Sequence, residues 1–95
     1  MMLAIDIGNT TVSVAVFKGK KIVRVDSLET RRTVPVLRAA FEKLLKGYAK
    51  RFAFEGKALV CSVVPRLNPA VRASIKKVLG CPVFFVGEDV VVPMK

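Results

Sequence analysis

Several residue types that commonly bind metals or perform catalysis are absent or scarce in this 95-residue chain. It contains no histidine and no tryptophan, and only two cysteines and seven acidic residues. Because the cysteines do not form a Cys-x-x-Cys pair and no histidine completes a ligand set, the sequence argues against a zinc site. Cys61 and Cys81 each stand among apolar residues, so we expect both to be buried thiols.

Long hydrophobic runs are also absent, although the chain is apolar. No stretch approaches the roughly 18 residues that a membrane-spanning helix needs, and no basic leader with a cleavage site precedes the first strand-like segment. Hydrophobic residues make up 53% of the chain, which is enough to build a core. We therefore expect one folded domain over residues 1–95, no membrane partner and a cytoplasmic location.

Negative charge is scarce, since seventeen Lys and Arg face seven Asp and Glu and the formal net charge is +10. Such a balance suits a phosphate-rich partner, either a nucleotide or a nucleic acid. The basic residues are dispersed along the chain, however, and no aromatic residues are interleaved among them to stack on bases. A solvated basic surface is therefore favoured over a nucleic-acid interface.

The apolar segments predict an α/β fold with the element order β-β-β-α-β-α-β. Short turns join the first three strands into an antiparallel meander, and right-handed crossovers place strands four and five parallel to strand one. The result is a five-stranded mixed sheet in the order 3-2-1-4-5, the ribonuclease H-like arrangement. The predicted segments are strands 2–7, 11–17 and 21–28, a helix capped by Thr33, strand 58–64, a helix capped by Asn68, and strand 82–87.

One carboxylate, Asp6, follows the apolar start of the central strand, near the point where strands one and four diverge. Ligands of open α/β sheets bind at such points. Gly8 allows a sharp turn, and consecutive backbone N–H groups there can form an anion-binding nest, with hydroxyls as further donors. The amides are those of Gly8, Asn9, Thr10 and Thr11, and the hydroxyls are those of Thr10, Thr11 and Ser13.

Phosphate groups would be repelled by Asp6 unless a divalent cation lay between them. The sequence therefore predicts that Asp6 binds Mg²⁺, directly or through water. The same residues also suit a purely structural turn in which Asp6 and Asn9 bond the local backbone. The spacing of this short motif does not decide between the two interpretations.

The opening segment, MLAIDIGNTTVSVAVFKGKKIV, resembles that of type III pantothenate kinases, in which DIGNT is the first phosphate motif of the acetate and sugar kinase/Hsp70/actin superfamily. The likeness continues in Arg31-Arg32-Thr33 and in CSVVPRLNPAVRASIKKVLGCPVFFVG, so it covers nearly the whole chain. It implies ATP and Mg²⁺ as cofactors and phosphorylation of pantothenate, in coenzyme A biosynthesis, by the complete protein. The residues that it would place along the ATP phosphates are Asp6, Gly8, Asn9, Thr10, Thr11, Val12 and Ser13.

The chain departs from this family pattern in three places. The sequence VPV at 34–36 stands where family members carry an acidic residue, and GED at 87–89 replaces the usual Gly-Pro-Gly, which puts the pantothenate side in doubt. The resemblance stops at Lys95, before the family's catalytic aspartate, its monovalent-cation site and its second domain. We therefore expect no catalytic residue in residues 1–95, and no turnover by this chain alone.

Two other functions remain open. The chain is also consistent with a non-catalytic half of a two-domain protein, which would pair through apolar surface with a second copy or with a missing C-terminal half. Ribonuclease H-like nucleases and resolvases likewise begin with an aspartate on strand one. Their two-metal chemistry needs a further carboxylate, commonly at the end of strand four, where this chain has SVVP at 62–65.

Overall fold

The predicted succession of strands and helices is present in the computed structural model, which describes residues 1–30, 33–54 and 56–86. A short 3₁₀ turn, Pro65–Leu67, precedes the second helix. The elements are β1 (Met2–Ile7), β2 (Thr11–Lys18), β3 (Lys21–Glu29), α1 (Val34–Arg51), β4 (Ala58–Ser62), α2 (Asn68–Val78) and β5 (Val83–Phe85).

The five strands form one sheet in the order β3-β2-β1-β4-β5, which confirms the predicted topology. β1 is the central strand, antiparallel to β2 and parallel to β4. Alternation along β1 buries Leu3, Ile5 and Ile7, whereas Asp6 between them is exposed. The central strand therefore presents its carboxylate on the face of the sheet opposite the core.

The core lies between one face of the sheet and the two helices. Alternate residues of the strands pack there against the apolar stripes of α1 and α2, as the 3.6-residue period predicts. The largest fully buried side chains are Phe85, Leu3, Ile7, Leu45, Leu67 and Ile75.

The opposite face of the sheet, which we call the open face, carries no helix in the described part of the chain. Residues in register across all five strands form an apolar row on it, which we call the apolar band. Val25 in this row is 60% exposed, and the two alanines leave the middle of the band shallow. The members of the band, from β3 to β5, are Val25, Ala15, Ala4, Leu59 and Phe84.

The helices are joined to each other by a carboxylate. Glu42 of α1 accepts hydrogen bonds from Arg38 (2.8 Å), from the Ser74 hydroxyl of α2 (3.0 Å) and from Lys77 of α2 (3.1 Å). These donors, Arg38 first, lower the pKa of Glu42 to about 2. Glu42 is thus a structural link between the helices, on the core side of the sheet and away from Asp6.

Three local expectations were wrong. Cys61 is exposed, because the alternation of β4 places it on the open face; Cys81 is buried as expected, and burial raises its pKa. β4 ends at Ser62 rather than at Val64. Asn68 is the first residue of α2, not its N-cap, because the 3₁₀ turn runs directly into the helix from Leu67.

Neither helix in the described ranges combines the length and the apolar character needed to cross a bilayer.

Candidate functional site

The turn between β1 and β2 is held by hydrogen bonds at both of its ends. The Gly8 N–H donates to the Thr11 carbonyl at 2.9 Å, which closes the turn. Thr30, at the end of β3 and only 2% exposed, donates its backbone N–H to the Thr10 carbonyl (2.9 Å) and its hydroxyl to the Gly8 carbonyl (2.8 Å). A buried residue twenty-two positions away therefore fixes the conformation of the turn.

Gly8 serves this turn through close approach rather than through a left-handed backbone, since its φ is not positive. A Cβ at this position would lie 3.3 Å from the Thr11 carbonyl oxygen, which is tighter than most such contacts. Because the Gly8 amide is already engaged, we assign Gly8 to the shape of the turn. The nest expected from the sequence is reduced to the amides that follow it.

The tip of the turn, formed by Asn9 and Thr10, is exposed. Within the described residues no acceptor bonds the backbone N–H of either residue. Thr11 is exposed as well, whereas Val12 points into the core and is 1% exposed. Asn9, Thr10 and Thr11 therefore present polar atoms to solvent, whereas Val12 anchors the start of β2 in the core.

Asp6 lies at the head of a polar row on the open face. Its direct partner on β2 is Ser13, whose own partner on β3 is Ser27, and all three side chains face the same way. Side chains paired directly across antiparallel strands have Cβ atoms about 5 Å apart. The Asp6 carboxylate and the Ser13 hydroxyl are therefore close enough to contact one ligand, beside the turn tip.

This position fits a hydrated divalent cation. Mg²⁺ retains several waters and is usually bound through one or two carboxylates together with substrate phosphates. Asp6 is exposed and supplies one carboxylate, while the described residues contain no cluster of three or more His, Cys, Asp or Glu side chains that would enclose an ion completely. The remaining ligands would be water and phosphate oxygens.

The end of β4 flanks Asp6 on the side away from β2, and the two strands do not diverge at Asp6 as expected, because Asp6 and Ile7 are still paired with Cys61 and Ser62. The Val63 N–H donates to the Ile7 carbonyl at 3.0 Å, so β4 stays attached to β1 up to this point. Ser62 accepts a hydrogen bond from the Val64 N–H (3.2 Å), and Cys61 lies beside Asp6 on the open face. A thiol and a hydroxyl therefore stand where a two-metal nuclease would carry its second carboxylate.

Other acidic residues differ in their relation to the site. Asp26 faces the helices, where the Arg24 guanidinium and the Tyr48 hydroxyl donate to it and lower its pKa. Glu29 pairs with Thr11 across β2 and β3, which places it on the open face beside the turn. The sequence places Glu29 and Thr30 at the end of the edge strand and in the link that follows it, and reveals neither this position of Glu29 nor the role of Thr30. Glu55, Glu88 and Asp89 lie outside the described residues, as do Arg31 and Arg32.

Comparison with known proteins identifies the family. A family model described as "Type III pantothenate kinase" matches residues 2–95. This chain belongs to the type III pantothenate kinase family. Among its relatives, the type III pantothenate kinase of Desulfosudis oleivorans is 35% identical over 83 residues, covering 85% of this chain and 32% of the relative. That of Desulfovibrio desulfuricans is 31% identical over 97 residues, covering 99% and 36%. The chain thus spans about a third of the length of these kinases.

Solved structures confirm the fold independently of the sequence. The RuvC structure of Thermus thermophilus matches with a TM-score of 0.65 at 17% identity, covering 88% of this chain and 59% of that one. The ethanolamine utilization protein EutJ of Carboxydothermus hydrogenoformans matches with a TM-score of 0.59 at 18% identity, covering 92% and 44%. At such identities the likeness establishes the ribonuclease H-like and actin-type fold of this pantothenate kinase relative, and nothing about its chemistry.

Proposed function

We propose that this chain is the ATP-phosphate-binding half of a type III pantothenate kinase. In the complete protein the reaction would be transfer of the γ-phosphate of ATP to the hydroxyl of pantothenate, a step of coenzyme A biosynthesis. The observation that supports it best is the exposed Asp6 carboxylate beside a turn whose Asn9 and Thr10 amides have no acceptor among the described residues. Family membership over residues 2–95 supports the same assignment.

Each residue of the site has a distinct role in this proposal. Asp6 holds Mg²⁺ through a carboxylate oxygen or an intervening water, and the ion neutralises charge on the phosphates. The amides of Asn9 and Thr10 donate to phosphate oxygens, as do the hydroxyls of Thr11 and Ser13. Gly8 and Val12 set the position of the turn, Gly8 through its close approach to Thr11 and Val12 through the core.

Turnover needs a group that this site does not supply. Phosphoryl transfer requires a residue that orients the acceptor hydroxyl and takes its proton. Within the described residues, Asp26 and Glu42 face the helices and Glu29 flanks the turn two strands away from Asp6. We propose that residues 1–95 bind nucleotide weakly and do not phosphorylate pantothenate, with the base and the monovalent-cation site supplied by the remainder of the kinase.

The open face suggests how residues 1–95 associate. An apolar band spanning five strands exposes surface that a partner would bury favourably, at about 25 cal/mol per Å². We propose that the isolated chain pairs with a second copy through this face, and that the missing C-terminal half is the alternative occupant. The cytoplasmic location expected from the sequence stays a prediction.

Calorimetric titration with Mg·ATP tests the site. Asp6→Asn is expected to weaken binding at least tenfold while the far-UV circular dichroism spectrum and melting temperature stay unchanged. Glu29→Gln is the matched control, because it removes one negative charge from the same face, and we expect less than a twofold effect. In EDTA the order should reverse or vanish, so that Asp6→Asn binds ATP at least as well as the parent, because without the ion the Asp6 carboxylate only repels the phosphates.

Three results would contradict the assignment. The first is an absence of Mg·ATP binding by the parent chain, and the second is equal binding by Asp6→Asn. The third is Mg²⁺-dependent nicking of DNA by the parent that Asp6→Asn abolishes, which would favour the nuclease alternative. Phosphorylation of pantothenate by residues 1–95 alone would be compatible with the proposed Mg·ATP site. It would overturn only the proposal that the general base lies outside these residues.

A further inference from the structure

A groove of about 410 Å³ lies between the edge strand β3 and the C-terminal half of α1. Half-buried Leu28, Leu44 and Phe52 form its apolar floor, and Lys43 and Arg51 stand exposed at its rim. We propose that this α1–β3 groove binds a small anionic amphiphile, a molecule with a carboxylate or phosphate head group on a short apolar body. Its position and chemistry are independent of the nucleotide site.

The sheet separates the two sites. Leu28 and Arg24 of β3 pair with Val12 and Val16 of β2, whose side chains are buried on the helix side of the sheet. Asp6 lies on the open face. A ligand in the groove therefore contacts neither Asp6 nor the tip of the turn.

The charge of the groove selects an anion. Asp26, next to it, already accepts hydrogen bonds from Arg24 through Nε (2.8 Å) and Nη2 (3.3 Å) and from the Tyr48 hydroxyl. In contrast, no carboxylate in the described ranges forms an ion pair with Lys43 or Arg51. Two cations that have no carboxylate partner among the described residues, beside an apolar floor, attract a negative head group, and the low-dielectric wall strengthens that attraction.

The shape of the groove leaves space for an apolar body. Gly47 lines it from the C-terminal half of α1, and a Cβ at this position would meet no atom within 4 Å. Packing inside this chain therefore does not require glycine there, although glycine is the poorest helix former after proline. Because Gly47 has no side chain, the groove extends down to the helix backbone at this position.

Size and charge together identify the class of occupant. The volume lies within the range of about 300–1,000 Å³ that is typical of small-molecule sites. A second copy is not the proposed occupant, because pairing of two copies is proposed through the open face, on the other side of the sheet from the groove. The floor, the rim and the space at Gly47 fit one anionic head group with a short aliphatic or aromatic tail.

Titration calorimetry with octyl phosphate and with octanoate, both below their critical micelle concentrations, tests the proposal. We expect saturable binding of at least one of them to the full chain, and binding at least tenfold weaker for octanol and for inorganic phosphate. The double variant Lys43→Ala/Arg51→Ala should lose at least tenfold in affinity. The matched control, Lys46→Ala/Lys50→Ala, removes the same charge from α1 outside the groove and should lose less than twofold.

A second variant separates binding from folding. Gly47→Leu fills the groove and improves the helix, so binding of the amphiphile should disappear while the melting temperature stays equal or rises. The proposal is overturned if neither amphiphile binds, if the two double variants weaken binding equally, or if Gly47→Leu binds as the parent does. Binding to phosphatidylglycerol vesicles without saturable binding of the free amphiphiles would also overturn it.

Discussion

The hydroxyl of Thr30 donates a hydrogen bond to the Gly8 carbonyl across 2.8 Å, joining the end of the edge strand to the turn that follows the central strand. Thr30 is almost completely buried, so water cannot replace its hydroxyl readily. The polar tip of the candidate phosphate site is therefore held by a residue whose own side chain is buried and bonded within the protein.

Replacing this hydroxyl should loosen the turn. Thr30→Val preserves the shape of the side chain but leaves the Gly8 carbonyl without its donor, which we expect to cost about 1–2 kcal/mol of unfolding free energy. Mg·ATP affinity should fall severalfold, because the Asn9 and Thr10 amides lose their fixed positions. Urea denaturation and calorimetry measure the two effects. Thr33→Val, at an exposed N-cap whose side chain makes no capping bond, should change neither.

Acid should weaken the link between the helices. The pKa of Glu42 in the folded chain is about 2, below its ordinary value of 4.5, so ionised Glu42 favours folding. This contribution is fully present above about pH 4.5 and is lost as pH falls towards 2. The difference in unfolding free energy between the parent and Glu42→Gln should therefore be constant from pH 5 to 7 and shrink below pH 4.5. A difference independent of pH would contradict this assignment.

Tyr48 and Asp26 should act as a coupled pair. Burial and the hydrogen bond to Asp26 raise the pKa of Tyr48, so its hydroxyl stays protonated and donates to the carboxylate at neutral pH. Tyr48→Phe should cost about 1.5 kcal/mol, at the low end for a bond to a charged group, because Asp26 keeps Arg24 as a donor. A double-mutant cycle with Asp26→Asn should show coupling, and purely additive free energies would exclude it.

If two chains pair through the open face, a charge introduced at Leu59 should change the oligomeric state, whereas a charge introduced at Val36 should not. Leu59→Glu places a charge within the apolar band, between Ala4 and Phe84, and should convert a dimer into a monomer, measured by light scattering and sedimentation at several concentrations. Val36→Glu is the control, because Val36 is 52% exposed on α1, on the other side of the sheet. A parent chain that stays monomeric at all concentrations, or a dimer unaffected by Leu59→Glu, would contradict the proposed pairing.

Much of the fold follows from the sequence because local and global signals agree. Apolar alternation locates the strands, helical periodicity locates α1 and α2, and the handedness of crossovers then fixes the order 3-2-1-4-5. The placement of Asp6 at the end of the central strand follows from this topology. Its exposure does not follow, because the apolar run 2–7 is typical of a strand buried on both faces, whereas the structure buries Ile5 and Ile7 and leaves Asp6 exposed.

The sequence did not reveal which face of the sheet the helices leave open, or which distant residues the register of the strands brings to the turn. An apolar neighbourhood predicts that Cys61 is buried, but in a sheet covered on one face only, alternate apolar residues are left exposed. Thr30 and Glu29 looked like linker residues, because their partners Gly8 and Thr11 lie about twenty positions earlier. Only the register of β3 against β2 brings them to the turn.

The polar row headed by Asp6 and the apolar band through Ala4 are neighbours on one surface, two residues or about 7 Å apart along the central strand. A protein partner bound to the band would therefore lie close to the Asp6 carboxylate and shield it from bulk water. Binding of that partner and binding of an ion at Asp6 would then be thermodynamically linked, so that each changes the affinity for the other by the same factor.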